Sequence, residues 1–223
     1  GLIIKELQAR LNIKSILVIC PKPLIAENKW YDEMKRFDEH FIPLDGGSFK
    51  HCINETHLEG EWPDHYKKAL LPFSLFDSEN LFGVKKSNRH KQVGLIILAP
   101  PPRFDLVIID EAHYARNQDT YIHHAVKYFC DNANAVLMLT ATPIQLGNND
   151  LFTLLNLMRP DLIIDSNERG SLCESIERKA TKMGMHVVRK TLVVGDYLLA
   201  EFLSWSKDKD ESKFPILINY IFR

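Results

Sequence analysis

Two neighbouring acids, Asp110 and Glu111, stand directly after the apolar run Phe104-Asp105-Leu106-Val107-Ile108-Ile109, and Ala112 and His113 follow them. Such a run reads as a strand, and a strand that delivers two carboxylates to its carboxyl end can set a metal ligand beside a base. A hard Mg²⁺ ion prefers oxygen ligands and keeps several of its waters, so one carboxylate plus nucleotide phosphates is enough to hold it. On that chemistry Asp110 takes the metal and Glu111 polarises the attacking water. The plainer alternative is that the pair caps the next helix, where carboxylates favour the helix dipole, with His113 a structural residue. The next strand bears on the choice. Ala135-Val136-Leu137-Met138-Leu139 runs into Thr140-Ala141-Thr142-Pro143, so small hydroxyl residues again lie at a carboxyl end.

Elements must position these residues, and the hydrophobic pattern supplies them. Ser15 to Cys20 is apolar, largely β-branched, and stops at Pro21-Lys22-Pro23, as suits a strand buried on both faces. Lys68 to Phe73 and Val93 to Leu98 read as further short strands. Helical period marks Gly1 to Arg10, with Leu2, Ile3 and Leu7 on one face, and also Leu24 to Phe37. A third helical stretch runs from His113 to Cys130. Asp45 to His65 is mixed, with Gly46-Gly47 and Trp62-Pro63 as breakers. Ser78 to Gln92 is mostly polar, holds Lys85, Lys86, Arg89, His90 and Lys91, and reads as a loop: a solvated excursion, or a DNA-backbone contact. Strand–helix–strand alternation implies βαβ units, hence an α/β fold with a parallel sheet and helices on both faces. Ligands bind such sheets at the carboxyl ends of the strands.

The formal net charge is −1, so no global basic field advertises nucleic acid, and any DNA contact has to be local. The cysteines Cys20, Cys52, Cys130 and Cys173 are widely spread without a CxxC pair, and Cys20 and Cys130 lie in apolar runs as buried thiols. That spacing suits a reduced intracellular protein, cytoplasmic and nucleoid-associated if prokaryotic, rather than a zinc site or a disulfide framework. No apolar run approaches the roughly 18–20 residues of a membrane span. The run near the end, Pro215 to Phe222, is short and holds Asn219. Gly1 is not an initiator Met, and the apolar pattern begins at Leu2 without a lead-in, so a fragment is expected.

The string Asp110-Glu111-Ala112-His113, followed one βα unit later by Leu139-Thr140-Ala141-Thr142-Pro143, resembles motifs II and III of superfamily-two DEAH-box helicases and translocases. More residues are similar to the Swi/Snf-like branch, in particular to its RNA-polymerase-recycling members. Gly1 to Leu7 looks like the helix after the Walker A loop, and Val18 to Leu24 resembles motif Ia, with Trp30 in a familiar place. Ala115-Arg116-Asn117 and Ile144-Gln145-Leu146 also match. The resemblance covers about Gly1 to Pro160. It implies a RecA-like ATPase domain over 1–160 that uses ATP and Mg²⁺ and tracks DNA by sequence-independent backbone contacts. It further implies that Asp110 binds Mg²⁺ through water and that Glu111 is the catalytic base. His113 then links the nucleotide site to motif III, Thr140, Ala141, Thr142 and Gln145 couple hydrolysis to DNA grip, and Pro21, Lys22 and Ser74 lie along the DNA strand.

One departure is plain: no GxxxxGK[ST] string occurs in the chain. Without that loop's amides and lysine the β- and γ-phosphates have no cradle. A second RecA-like domain, which the family pattern requires, is also absent, so the chain alone is expected neither to bind ATP tightly nor to hydrolyse it. Residues 161–223 read as a small partial α/β segment. There Asp165, Glu168 and Gly195-Asp196-Tyr197 resemble the opening of an XPF-type nuclease domain, with Asp165, Glu168 and Asp196 as a second metal set. Ser206-Lys207-Asp208 replaces the ERK element of that pattern. The bland alternative is an ordinary extension with Gly195-Asp196 as a turn. Three functions therefore stand at this point: an ATP-dependent DNA motor, a non-hydrolysing RecA-like module that binds nucleic acid or a partner, and a degenerate nuclease.

Overall fold

The computed structural model describes residues 1–87, 90–140, 153–154, 156–157 and 218–222. Helix α1 (Leu2–Leu11) leads into β1 (Ile16–Cys20), and two short helices, α2 (Lys22–Ala26) and α3 (Lys29–Lys35), follow. Then come β2 (Ile42–Pro43), α4 (Gly46–Glu59), β3 (Lys68–Pro72), α5 (Ser78–Phe82) and the hairpin β4 (Gly83–Ser87) and β5 (His90–Val93). The core closes with β6 (Phe104–Asp110), α6 (Tyr121–Asp131) and β7 (Ala133–Leu139), and β8 (Ile218–Phe222) lies beyond. Six strands form one sheet in the order β2-β3-β1-β6-β7-β8. The first five run parallel, and β8 adds an antiparallel edge to β7.

The central strands are buried on both sides, and alternate residues divide between two cores. Leu17, Ile19, Val107, Ile109, Val136 and Met138 join Phe49 and Ile53 of α4 and Val126 and Phe129 of α6. Ile16, Val18, Leu106, Ile108 and Leu137 face the other way, onto Ile4 and Leu7 of α1 and Met34 of α3. Each such side chain, taken fully out of water, stabilises the fold by about 1.5–3 kcal/mol. The result is the expected α/β arrangement, a parallel sheet of RecA-like type with helices on both faces.

One buried ion cluster pins α1 to the sheet. Glu39 is almost wholly buried and accepts from Lys5 Nζ at 2.6 Å and Lys68 Nζ at 2.5 Å. Burial by itself would raise its pKa; the hydrogen bonds from Lys5, Lys68 and Gln8 outweigh that and hold the carboxyl below its usual range. A buried charge persists only when paired in this way.

Several local expectations give way. In α1 the buried residues are Ile4 and Leu7, whereas Leu2 is exposed. The helix read over Leu24 to Phe37 is two helices, broken at Asn28, whose φ of 56° lies in the left-handed region. Gly46-Gly47 opens α4 rather than breaking it. Asp45 Oδ1 accepts from the Ser48 amide at 2.7 Å while Ser48 Oγ accepts from the Asp45 amide at 2.8 Å, a capping box that outweighs two glycines. Ser78 to Gln92 is not a loop: it holds α5, capped by Asp77, and most of the β4–β5 hairpin. Val93 to Leu98 is not a strand. Val93 ends β5 and Leu95–Ile97 forms a 3-10 turn that packs against α5. The helix read from His113 to Cys130 is a 3-10 turn, Ala112–Ala115, separated from α6.

Candidate functional site

β6 ends on Asp110, and the next residue turns the chain. Glu111 adopts φ 54° and ψ 50°, a left-handed conformation that costs a non-glycine residue about 1 kcal/mol or more. It stops the strand and starts the 3-10 turn, with the Tyr114 amide donating to the Glu111 carbonyl at 3.0 Å. The turn brings Glu111 Oε2 to 3.2 Å from His113 Nδ1. Thr140, the first residue after β7, lies alongside, its Oγ1 3.5 Å from the same nitrogen. His113 thus touches the motif at the end of β6 and the one at the end of β7.

Asp110 is held from two sides. Trp30 Nε1 donates to its Oδ2 at 2.8 Å, and the Glu111 amide donates to its Oδ1 at 2.9 Å. A carboxylate offers about four lone-pair sites, so two acceptor positions remain. These are hard oxygen donors, the set that suits Mg²⁺. Among the described residues no group of three or more metal-ligating side chains occurs, so one anchoring carboxylate is what this part of the chain supplies. That fits an ion whose other ligands are waters and phosphate oxygens. Cys20, at the end of β1, is no ligand: burial, with a smaller push from the Asp110 charge, drives its thiol pKa up to about 12.

The remaining sequence candidates fall on the same edge. Pro21 and Lys22 follow β1, and Ser74 sits exposed in the 3-10 turn that follows β3. Because the sheet order is β3-β1-β6-β7, the candidate residues occupy the carboxyl ends of four consecutive strands. Ala141, Thr142 and Gln145 lie outside the described residues, as do Asp165, Glu168 and Asp196.

Sequence reasoning missed two features. Trp30 received no role, although its indole N–H reaches Asp110; a tryptophan needs an acceptor once its ring is covered, and that was the available signal. It also missed an aromatic stack. Tyr114 lies 4.7 Å from the His113 ring and 5.4 Å from Phe73, the latter at an interplanar angle of 23°. Phe73 precedes Ser74, so rings connect the turn after β6 with the turn after β3.

Comparison with known proteins follows the same lines. Residues 85–193 match the SNF2-related domain. An uncharacterized ATP-dependent helicase of Bacillus subtilis (strain 168) is 28% identical over 197 residues, covering 86% of this chain and 29% of that protein. The RNA polymerase-associated protein RapA of Vibrio atlanticus (strain LGP32) is 29% identical over 169 residues, 74% of this chain and 16% of its own length. Protein CHROMATIN REMODELING 19 of Arabidopsis thaliana is 25% identical, covering 84% of this chain and 23% of that protein. A solved structure, the Sulfolobus solfataricus SWI2/SNF2 ATPase core in complex with dsDNA, aligns with a TM-score of 0.48 at 20% identity over 82% of this chain and 32% of that one. The chain spans 16% to 29% of the length of these curated relatives. Residues 85–193 are thus similar to the SNF2-related domain, and the chain is similar to parts of a protein named an ATP-dependent helicase and of the RNA polymerase-associated RapA. The SNF2-related match runs past Pro160, where the sequence resemblance was expected to fade, and takes in Asp165 and Glu168. The nuclease-like reading of the tail gains no support from these likenesses.

Proposed function

We propose that this chain is part of an ATP- and Mg²⁺-dependent DNA translocase motor of the Swi/Snf-like type. The observation that carries the reading is the contact of His113 Nδ1 with Glu111 Oε2 at 3.2 Å and Thr140 Oγ1 at 3.5 Å, on the carboxyl rim of the parallel sheet. In this reading Asp110, its carboxylate fixed by the Trp30 indole, would hold a Mg²⁺ ion. Bound Mg²⁺ would supply charge neutralisation for the phosphate oxygens. Glu111 takes the proton of the attacking water, and His113 holds the Glu111 carboxylate in place and relays its position to Thr140. Pro21, Lys22 and Ser74 contact the DNA backbone, where phosphate contacts position a strand without reading its bases. Ala141, Thr142 and Gln145 extend the coupling from Thr140. Residues 1–160 form the motor domain in this proposal, and a second RecA-like domain completes the nucleotide site.

No GxxxxGK[ST] string occurs in the 223 residues, so the phosphate-cradling amides and lysine have to come from outside them. Taken alone, the 223 residues are expected to hold ATP weakly and not to turn it over. The test is phosphate release with and without duplex DNA, by the native protein from its source cells and by its Glu111→Gln variant. DNA-stimulated release that the variant abolishes supports the motor. Binding of DNA by a native protein that hydrolyses nothing would instead favour the non-hydrolysing module.

A further inference from the structure

Tyr114 comes directly after His113 in the 3-10 turn that follows β6, and 49% of it remains in solvent. The turn does not need that ring as an anchor. Ala112 and Ala115 are fully buried in the core shared with α4 and α6. His123 of α6 sets its Nδ1 2.7 Å from the Ala115 carbonyl oxygen, and the Tyr114 amide donates to the Glu111 carbonyl at 3.0 Å. Backbone, alanines and His123 hold the turn, so the tyrosine ring is free for another purpose.

That ring lies against two others. Its centroid is 4.7 Å from the His113 ring, tilted by 32°, and 5.4 Å from the Phe73 ring at only 23°. Near-parallel rings at such a separation attract beyond the area they cover. Phe73 is buried and opens the turn after β3, where the exposed Ser74 comes next. This second turn has its own fastening, because Asn80 Nδ2 of α5 donates to the Leu75 carbonyl at 2.8 Å. Two separately anchored turns, at the carboxyl ends of β3 and β6 with β1 between them, therefore meet in one half-exposed ring. What that ring leans on is the imidazole whose Nδ1 lies 3.2 Å from Glu111 Oε2 and 3.5 Å from Thr140 Oγ1. A small rotation of His113 changes both contacts at once.

We infer that Tyr114 is a positioning residue that couples the two turns: stacked on Phe73, it sets the plane of the His113 ring according to what lies at Ser74. DNA at Ser74 is thereby felt at Glu111 without touching it. The inference rests on the motor reading, which gives DNA to Ser74 and the attacking water to Glu111. Tyr114 itself handles neither water nor phosphate. The plainer role, an apolar cover over Phe73, asks only for bulk, which a leucine supplies equally well; coupling asks for a flat ring, which a leucine lacks.

The experiment is phosphate release by the native protein and its variants over a series of duplex DNA concentrations, with a DNA-free control. For Tyr114→Leu the maximal DNA-stimulated rate is expected to fall about fivefold, the size of change that one contact in a coupling path makes. The DNA concentration for half-stimulation should stay within about twofold of the native value, because no DNA contact is removed. Tyr114→Phe keeps the ring and should restore the native rate. Tyr114→Gln removes the ring without adding apolar surface and should repeat the loss, which covers the case of a leucine variant that does not fold. Native stimulation in the leucine and glutamine variants would overturn the inference and leave Tyr114 a cover over Phe73. A raised half-stimulation concentration with the full maximal rate would overturn it too, by making Tyr114 a DNA contact. So would an equal loss with and without DNA, which marks a merely structural role. All three outcomes leave the motor reading intact; a native protein that DNA does not stimulate ends that reading, and this inference with it.

Discussion

Asp105 and Asp110 stand at opposite ends of β6, and the fold uses their carboxylates differently. At the amino end, Asp105 Oδ2 accepts from the Lys14 amide at 2.8 Å, the Ser15 amide at 3.0 Å and Ser15 Oγ at 3.1 Å. Its Oδ1 accepts from Asn134 Nδ2 at 3.2 Å, and its own amide donates to Ser15 Oγ at 2.9 Å. That carboxylate ties the residues leading into β1 to β6 and β7, with four donors on it against two on Asp110. Asp110 accepts two hydrogen bonds and keeps two acceptor positions. Partial exposure sits on the same side: Glu111 and His113 both keep part of their side chains in solvent. One end of the strand is a fastening, and the other keeps acceptor positions open.

Substitutions at the two ends should therefore fail in different assays. The largest effect is expected from Glu111→Gln, which should lower DNA-stimulated phosphate release by about a thousandfold while leaving the melting temperature nearly unchanged. A loss of folding instead of a loss of rate would erase the distinction between the ends. Asp105→Ala should do the reverse. It strands two backbone amides and the Ser15 hydroxyl, so urea denaturation should show a loss of about 2–3 kcal/mol.

Acid sharpens the contrast. Burial would raise the pKa of Asp105, but its hydrogen bonds from Lys14, Ser15 and Asn134 prevail and hold it below the usual value, as the lysines do for Glu39. Groups depressed in this way contribute stability that is complete above their unfolded values, about pH 4. The contribution is lost as pH falls through the folded values. The urea midpoint should accordingly drop between pH 5 and pH 2.5, and Asp105→Asn should flatten that acid limb. A parallel curve for the variant would mean that Asp105 does not fasten the strands.

A smaller change is expected from Trp30→Phe, which removes one of the two donors on Asp110. Turnover should fall by about tenfold, in line with the roughly 1.5 kcal/mol of a hydrogen bond to a charged group. Smallest of all, Asp110→Asn should raise the alkylation rate of Cys20 slightly in the folded protein. The thiol should nevertheless stay nearly inert, because burial and not the Asp110 charge is the main reason for its raised pKa. Rapid labelling of native Cys20 would show that the rim around Asp110 is more open than its geometry indicates.

Much of the candidate site was legible in the sequence. Apolar runs ending in Asp110-Glu111 and in Thr140 locate strand ends without any tertiary information, because a strand buried on both faces shows up as an unbroken hydrophobic string. Pro21-Lys22 marks the end of β1 in the same way. What misled was local. Gly46-Gly47 signals a break until the Asp45–Ser48 capping box is counted, and Val93 to Leu98 looks like a strand by composition although its residues divide between β5 and a 3-10 turn. The basic stretch was legible as charge but not as a hairpin, because a polar, lysine-rich segment shows no alternation of apolar and polar residues to betray a strand.

The sequence by itself determined the parallel α/β architecture, the position of the acids at a strand end, and the resemblance to a helicase motor. These depend on hydrophobic runs and short strings, which act over a few residues. Only the tertiary structure decided that Trp30 holds Asp110 across 80 positions of chain, that Tyr114 stacks on Phe73, and that Asp105 and Asp110 have opposite employments. Such pairings follow from strand order and from which side chains the two cores leave uncovered. No local pattern encodes that order, because it is set by how the whole sheet closes against its helices.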